Sequence, residues 1–170
     1  MVEILAVLVI LGLIATIVTI NWRAILPRTE LHSAVRRLAS TILSTRSEAI
    51  SRNAVYKVEY DLEGARYRVN TPFRPGGGMA ATEEERLALD WNALNPTVRF
   101  HSVQIDGAEY TKGLVFVRFD SLGSTSAHLV TLVQDPDQVF YTVEVQALTG
   151  LIDYHEGLFT RPPPREAEFQ

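Results

Sequence analysis

The first twenty residues of the chain are far more apolar than the rest. Residues 4–20 carry no charge, and only Gly12, Thr16 and Thr19 interrupt a run of aliphatic side chains. A helix over this run is apolar on every face and extends roughly 26 Å, close to the ~30 Å hydrocarbon core of a bilayer. We therefore predict a transmembrane or assembly helix over residues 1–22.

The apolar positions between residues 23 and 53 recur every three or four residues, with Arg, Ser and Glu between them. This spacing predicts an amphipathic helix with one face to bury, continuous with the first segment. Pro27 lies inside it and is the predicted site of a helix bend, because an internal proline removes a hydrogen bond. Asn53 is the predicted stop of one helix of about fifty residues.

The residues from 54 to 158 predict a β-rich domain. Strong β-formers alternate with turn clusters and mark seven strands, at 55–60, 66–69, 98–103, 114–119, 128–133, 139–145 and 151–154. Sequential strands with short turns favour an antiparallel meander or a small sandwich. The predicted fold class is α+β, with the long N-terminal helix packed on an antiparallel β-sheet or small β-sandwich.

Two segments of the chain lack regular patterns. Residues 72–97 contain several prolines and three consecutive glycines, and they predict an exposed insertion that could contact a partner. Within it, Thr82 followed by three glutamates predicts a short helix through Leu89. The proline-rich tail over 159–170 is predicted to be flexible and extended.

Composition argues against several kinds of chemistry. The absence of cysteine excludes disulfides, thiol nucleophiles and cysteine metal sites. The four histidines lie on different predicted elements, and Asp135 and Asp137 around Pro136 favour a proline turn over a calcium site. We predict no catalytic, metal or cofactor-binding residue, and no enzyme. The chain after Arg52 is net acidic, which also makes nucleic acid an unlikely partner, since nucleic-acid binders normally have a basic face.

Glu3 opens the apolar segment, where a carboxylate either stabilises the helix N-terminus or requires a partner. Glu3 and the aliphatic run after it, with Leu-Gly-Leu-Ile-Ala at 11–15, resemble the N-terminal signature of type IV pilins and type II secretion pseudopilins. In that family, the glutamate is thought to pair with the N-terminal amine of a neighbouring subunit. The resemblance implies this assembly role for Glu3.

Three later segments carry the resemblance to the GspH/FimT branch of that family. They are Arg-Ser-Glu-Ala-Ile-Ser-Arg at 46–52, Phe-Asp-Ser-Leu-Gly-Ser at 119–124 and Leu-Thr-Gly-Leu-Ile at 148–152. The resemblance implies a structural subunit of a type II secretion or type IV pilus-like filament that supports protein export, with other pilin-like subunits as partners. It also implies transmembrane packing by a set of residues in the first helix: Leu5, Leu8, Val9, Gly12, Leu13 and Thr16.

The resemblance further implies processing and location. Family precursors carry a basic leader that prepilin peptidase removes before a phenylalanine, which is then N-methylated; here both would precede Met1. It implies a single-pass inner-membrane protein with a periplasmic domain, although Arg23 and Arg28 would place that domain in the cytoplasm by the positive-inside rule. The alternative is a membrane-tethered binding module, as in FimT-like minor pilins that bind DNA or an exported protein.

Overall fold

The computed structural model describes residues 2–161, without the side chains of residues 2, 5 and 13–28. It contains one helix, α1 (Val2–Ser51), followed by nine strands. The strands are β1 (Tyr56–Asp61), β2 (Arg66–Asn70), β3 (Asn92–Ala93), β4 (Val98–Ile105), β5 (Ala108–Tyr110), β6 (Leu114–Phe119), β7 (His128–Gln134), β8 (Val139–Val145) and β9 (Ile152–Glu156). The α+β fold with a long N-terminal helix is confirmed.

The helix ends where the sequence indicates. Asn53 has a φ of 47°, and its N–H donates to the Ile50 carbonyl at 3.2 Å while the Ala54 N–H donates to the Ala49 carbonyl at 3.0 Å. These two bonds form a Schellman cap with asparagine in the left-handed position. At the other predicted feature, α1 continues through position 27, whose side chain lies outside the described set. The bend at Pro27 therefore stays a prediction.

The nine strands form two antiparallel sheets. The first sheet has the order β3-β2-β1-β6 and the second has the order β5-β4-β7-β8-β9. The architecture is thus the small sandwich rather than the meander, because β6 returns to pair with β1 and β7 returns to pair with β4. The two shortest strands, β3 and β5, were not predicted from the sequence, since two or three residues give no alternating pattern.

One face of α1 closes the core. The buried positions of the helix follow a four-three spacing along its second half, at Leu31, Val35, Leu38, Ile42, Thr45 and Ala49. This stripe packs against β1, β7 and β8, which confirms the predicted amphipathic half. Between the sheets, the rings of Tyr60 and Phe100 meet edge to face with centroids 5.9 Å apart. The helix and both sheets therefore share one core.

The insertion covers the outer edge of β2. The Thr71 N–H donates to the Leu87 carbonyl, and the Leu89 N–H donates to the Val69 carbonyl, both at 2.9 Å. These backbone groups are used in pairing with the strand, so the helix predicted from Thr82 to Leu89 is wrong. Trp91 lies under the guanidinium groups of Arg66 and Arg68, 4.6 and 4.2 Å from its ring centroid, and these contacts fix the insertion to the sheet.

His128 is a buried polar residue of this core. Its Nδ1 donates to the Ser126 carbonyl at 2.8 Å, while its Nε2 is buried and has no partner among residues 2–161. Burial lowers the pKa of His128 to about 4, against the opposing effect of the Ser126 hydrogen bond. Only one nitrogen of this ring therefore has a hydrogen-bond partner among the described residues.

The depressed pKa of His128 predicts a loss of stability in mild acid. The unfolded chain takes up a proton near pH 6.5, whereas folded His128 resists protonation until about pH 4. The free energy of unfolding should therefore fall as the pH drops from 6.5 to 4, by about 3 kcal/mol in full. Denaturant titrations at pH 7 and 4.5 measure the loss. This loss of stability between pH 7 and 4.5 should be smaller in His128→Leu and unchanged in His101→Leu. If His128→Leu loses as much stability as the natural protein, His128 is not the group responsible.

Candidate assembly surface

The N-terminal part of α1 is exposed along its described residues, in contrast to the half of the helix that packs on the domain. Five consecutive residues, 7–11, are each more than half exposed, from 54% at Val9 to 63% at Leu8. Because consecutive helical residues point about 100° apart, these five side chains cover the whole circumference of the helix. This bare segment, residues 3–12 of α1, is apolar on every face after Glu3.

Five of the predicted assembly and packing residues lie in this bare segment, and Leu13 and Thr16 follow it on the same helix. Glu3 is exposed in the first turn, and Leu8, Val9 and Gly12 are exposed beyond it. The side chains of Leu5, Leu13 and Thr16 lie outside the described set. Within the part of the chain that the structure describes, no helix is both long and apolar enough to span a membrane.

The packed half of α1 begins near residue 30. The Thr97 hydroxyl donates to Glu30 Oε2 at 2.5 Å, and Arg37 donates to the side-chain oxygen of Asn95. Between them, the His32 ring meets Tyr141 of β8 edge to face at 5.2 Å. These contacts hold one helix half on the domain and leave the bare segment projecting from it.

The other end of α1 is held at a junction of three residues, Arg46, Gly123 and Gly150. The Arg46 Nε donates to the Gly123 carbonyl at 3.1 Å. A Cβ on Gly150 would lie 2.5 Å from Arg46 Cδ, so the arginine side chain passes directly over that glycine. This arginine junction joins the helix to the β6–β7 and β8–β9 turns.

The β6–β7 turn at the junction is fixed by Asp120. Its carboxylate accepts hydrogen bonds from the N–H groups of Leu122 and Ser124 at 2.9 and 2.8 Å. The Ser124 hydroxyl in turn donates to the Leu148 carbonyl at 3.3 Å, which links the two turns directly. The three segments that carried the family resemblance thus meet at one place, a contact that no local sequence pattern predicted.

Several titratable groups of the domain form structural pairs. Burial favours a higher pKa for Glu144, but hydrogen bonds from Arg161 and His155 outweigh it and hold the pKa of this carboxyl below its usual value. At the proline turn, the hydrogen bond from Arg99 lowers the pKa of Asp135. Among residues 2–161 there is no group of three His, Asp or Glu side chains arranged to hold a metal ion.

Comparison with known proteins agrees with this geometry. The model of the family described as "Type II transport protein GspH" matches residues 34–149, which is more than half of the chain. That range begins within the packed half of α1 and ends in the β8–β9 turn, so it contains Arg46 and Gly123 of the arginine junction and stops one residue before Gly150. No curated protein sequence matches the chain.

Solved structures of pilin-like proteins share the fold. One structure of the minor pseudopilin EpsH from the type 2 secretion system of Vibrio cholerae aligns with a TM-score of 0.55 at 15% identity, covering 79% of this chain and 99% of that one. The type IV minor pilin FimU of Pseudomonas aeruginosa aligns with a TM-score of 0.50 at 17% identity, covering 75% and 90%. At these identities the likeness concerns the fold, and the family follows from the match over residues 34–149: the chain belongs to the GspH family of type II transport proteins.

Proposed function

We propose that this protein is a minor pseudopilin, a structural subunit of a type II secretion filament that supports protein export. Its family consists of structural components of a periplasmic filament rather than enzymes. The observation that carries the proposal is the bare segment, where Val7 to Leu11 are each more than half exposed on one helix. Burying such a side chain contributes about 1.5–3 kcal/mol, so this segment strongly favours association with lipid or with other apolar helices.

The proposal places the bare segment first in the inner membrane and then among the helices of neighbouring subunits. The sequence supports this through the uncharged run over 4–20 and through Trp22 and Arg23 at its end, where aromatic and basic residues favour the membrane boundary. Leu5, Leu8, Val9, Gly12, Leu13 and Thr16 supply the packing surface between helices. The domain then lies in the periplasm, as the family location requires.

Processing by prepilin peptidase is part of the same proposal. Mass spectrometry of the terminal peptide from membrane-extracted native protein should find an N-methylated phenylalanine ahead of Met1. That residue would supply the amine that Glu3 of a neighbouring subunit recognises. A native chain that begins at an unmethylated Met1 contradicts this part of the proposal.

Glu3 is proposed to align each subunit during assembly. An unpaired carboxylate in a bundle of apolar helices is costly, so docking is favoured only where a complementary amine meets it. Glu3→Val should leave membrane insertion intact and lower incorporation into the filament by more than about tenfold, since breaking such a pair costs several kcal/mol. Quantitative immunoblotting of membrane and sheared-filament fractions measures the two separately.

A matched control removes a carboxylate elsewhere. Glu63 is exposed in the β1–β2 turn, and Glu63→Val should incorporate as the natural protein does. Normal incorporation of Glu3→Val would refute the alignment role. Equal loss from both variants would instead indicate a general effect of net charge.

A further inference from the structure

The two edges of the first sheet are protected very differently. The β2 edge is covered by the insertion and by β3. The opposite edge is β6 (Leu114–Phe119), which within residues 2–161 pairs with β1 and otherwise forms one isolated bridge, between Phe119 and Thr125. Among the described residues, the edge from Leu114 to Arg118 is therefore open to a further strand, which would complete its backbone hydrogen bonds.

The outward side chains of β6 favour pairing instead of preventing it. Leu114 is 61% exposed and Phe116 is 56% exposed, and the strand contains no proline and no acidic residue. Lys57 lies over the Phe116 ring at 5.0 Å, and Arg118 is exposed at the end of the strand. Natural sheets usually protect such an edge with charge, proline or short length, and apart from Arg118 this one does not.

The C-terminal end of this edge opens into a cavity. The cavity has a volume of about 330 Å³ and is lined by Arg118, Ser124, Thr125 and Ser126, together with Val55 and Asp120. The Thr125 hydroxyl oxygen is buried and has no partner in the described part of the chain. A guanidinium and an unpaired hydroxyl at one end of the strand suit a carboxylate acceptor on the incoming segment.

The chain itself carries an edge with the complementary pattern. β9 (Ile152–Glu156) is the last strand of the second sheet, and Ile152, Tyr154 and Glu156 share one of its faces. Tyr154 is 47% exposed, and Glu156 is also exposed. This face of β9 thus presents an apolar, an aromatic and an acidic side chain in turn. On β6, Leu114, Phe116 and Arg118 present an apolar, an aromatic and a basic side chain, so the two strands match in their apolar positions and are opposite in charge at the last one.

We propose that the β6 edge of one subunit pairs in parallel with the β9 edge of a second copy of this chain. In this register Leu114 meets Ile152, Phe116 meets Tyr154, and Arg118 meets Glu156 at the mouth of the cavity. The contact joins two different surfaces of the subunit. A pair of subunits therefore still has one unpaired β6 edge and one unpaired β9 edge, to which further subunits can add in a line. This contact goes beyond the proposed function, because it uses neither Glu3 nor the bare segment.

Cysteine cross-linking of the full chain in membranes tests the contact, since the natural chain contains no cysteine. Phe116→Cys and Tyr154→Cys are expressed together on copies with different tags and then oxidised mildly. We expect a mixed disulfide that forms at least about fivefold more than either homodisulfide, because directly opposed residues on paired strands have Cβ atoms within about 5.5 Å.

A charge exchange provides the second measurement. Arg118→Glu should lower the mixed cross-link by about fivefold, and adding Glu156→Arg to the other copy should restore it. Leu89→Cys, on the insertion and as exposed as Tyr154, serves as the control partner for Tyr154→Cys and should not cross-link above background. Glu3→Val should not alter the 116–154 cross-link, so failure of filament incorporation and failure of this contact are distinguishable.

Three outcomes would overturn the proposal. One is a 116–154 cross-link no stronger than the 89–154 control. Another is a dominant 116–116 product, which indicates a symmetric pair of β6 edges. The third is capture of a different filament subunit by Phe116→Cys without any product with Tyr154→Cys, which assigns the edge to another partner.

Discussion

Leu38→Ala is expected to lower the free energy of unfolding of the domain by about 3 kcal/mol. Leu38 is fully buried at the centre of the stripe by which α1 contacts the two sheets. Removing its three outer carbons loses the transfer free energy of those groups and leaves a cavity that rigid sheets cannot fill. Denaturant unfolding of the full chain in detergent, followed by near-ultraviolet circular dichroism, measures the change.

Leu43→Ala is the matched control for this prediction. Leu43 lies on the same helix, but 46% of it is exposed. The same chemical change there should cost less than about 1 kcal/mol, as is usual for surface positions. If Leu38→Ala and Leu43→Ala cost the same, the stripe does not carry the packing of α1. The bare segment would then not be held at a fixed position relative to the domain.

Gly123→Ala is expected to destabilise the domain by about 3 kcal/mol through the arginine junction. Gly123 has a φ of 80°, and a Cβ there would lie 2.6 Å from Ile50 Cδ1 and 3.0 Å from Arg46 Nε. The methyl group adds backbone strain and also displaces the Ile50 and Arg46 side chains that pack on the β6–β7 turn. The Arg46 hydrogen bond to the Gly123 carbonyl should be lost with it.

Gly113→Ala separates strain from contact. Gly113 has nearly the same φ, 82°, but a Cβ there meets no atom within 4 Å. It should therefore show only the backbone cost, about 1–2 kcal/mol. The difference between the two variants, measured by denaturant unfolding, reports the close approach of Ile50 and Arg46. Equal costs for Gly113→Ala and Gly123→Ala would show that the junction tolerates a methyl group and does not clamp the helix.

The sequence predicted the elements that depend on local pattern. The four-three spacing from Leu31 to Ala49 is confirmed as the buried stripe, and Asn53 is confirmed in the left-handed cap. Helix periodicity and cap chemistry are properties of neighbouring residues, so they can be read without the fold. The helix predicted from Thr82 is wrong because the backbone of this segment forms hydrogen bonds with β2 instead. Local helix propensity does not include such pairing with a distant strand.

Local sequence pattern by itself determined that this protein has an apolar N-terminal helix segment, an amphipathic continuation of that helix and a β-rich domain. The reason is that the spacing of apolar side chains shows which faces of an element are buried on folding. The tertiary structure alone decided which distant residues meet. Arg46 contacts turns that begin more than seventy residues later, and β6 pairs with β1 although β4 and β5, which lie between them in sequence, belong to the other sheet. Such contacts depend on how two sheets and a helix pack together, and the residues next to them in sequence do not indicate which distant segment they will meet.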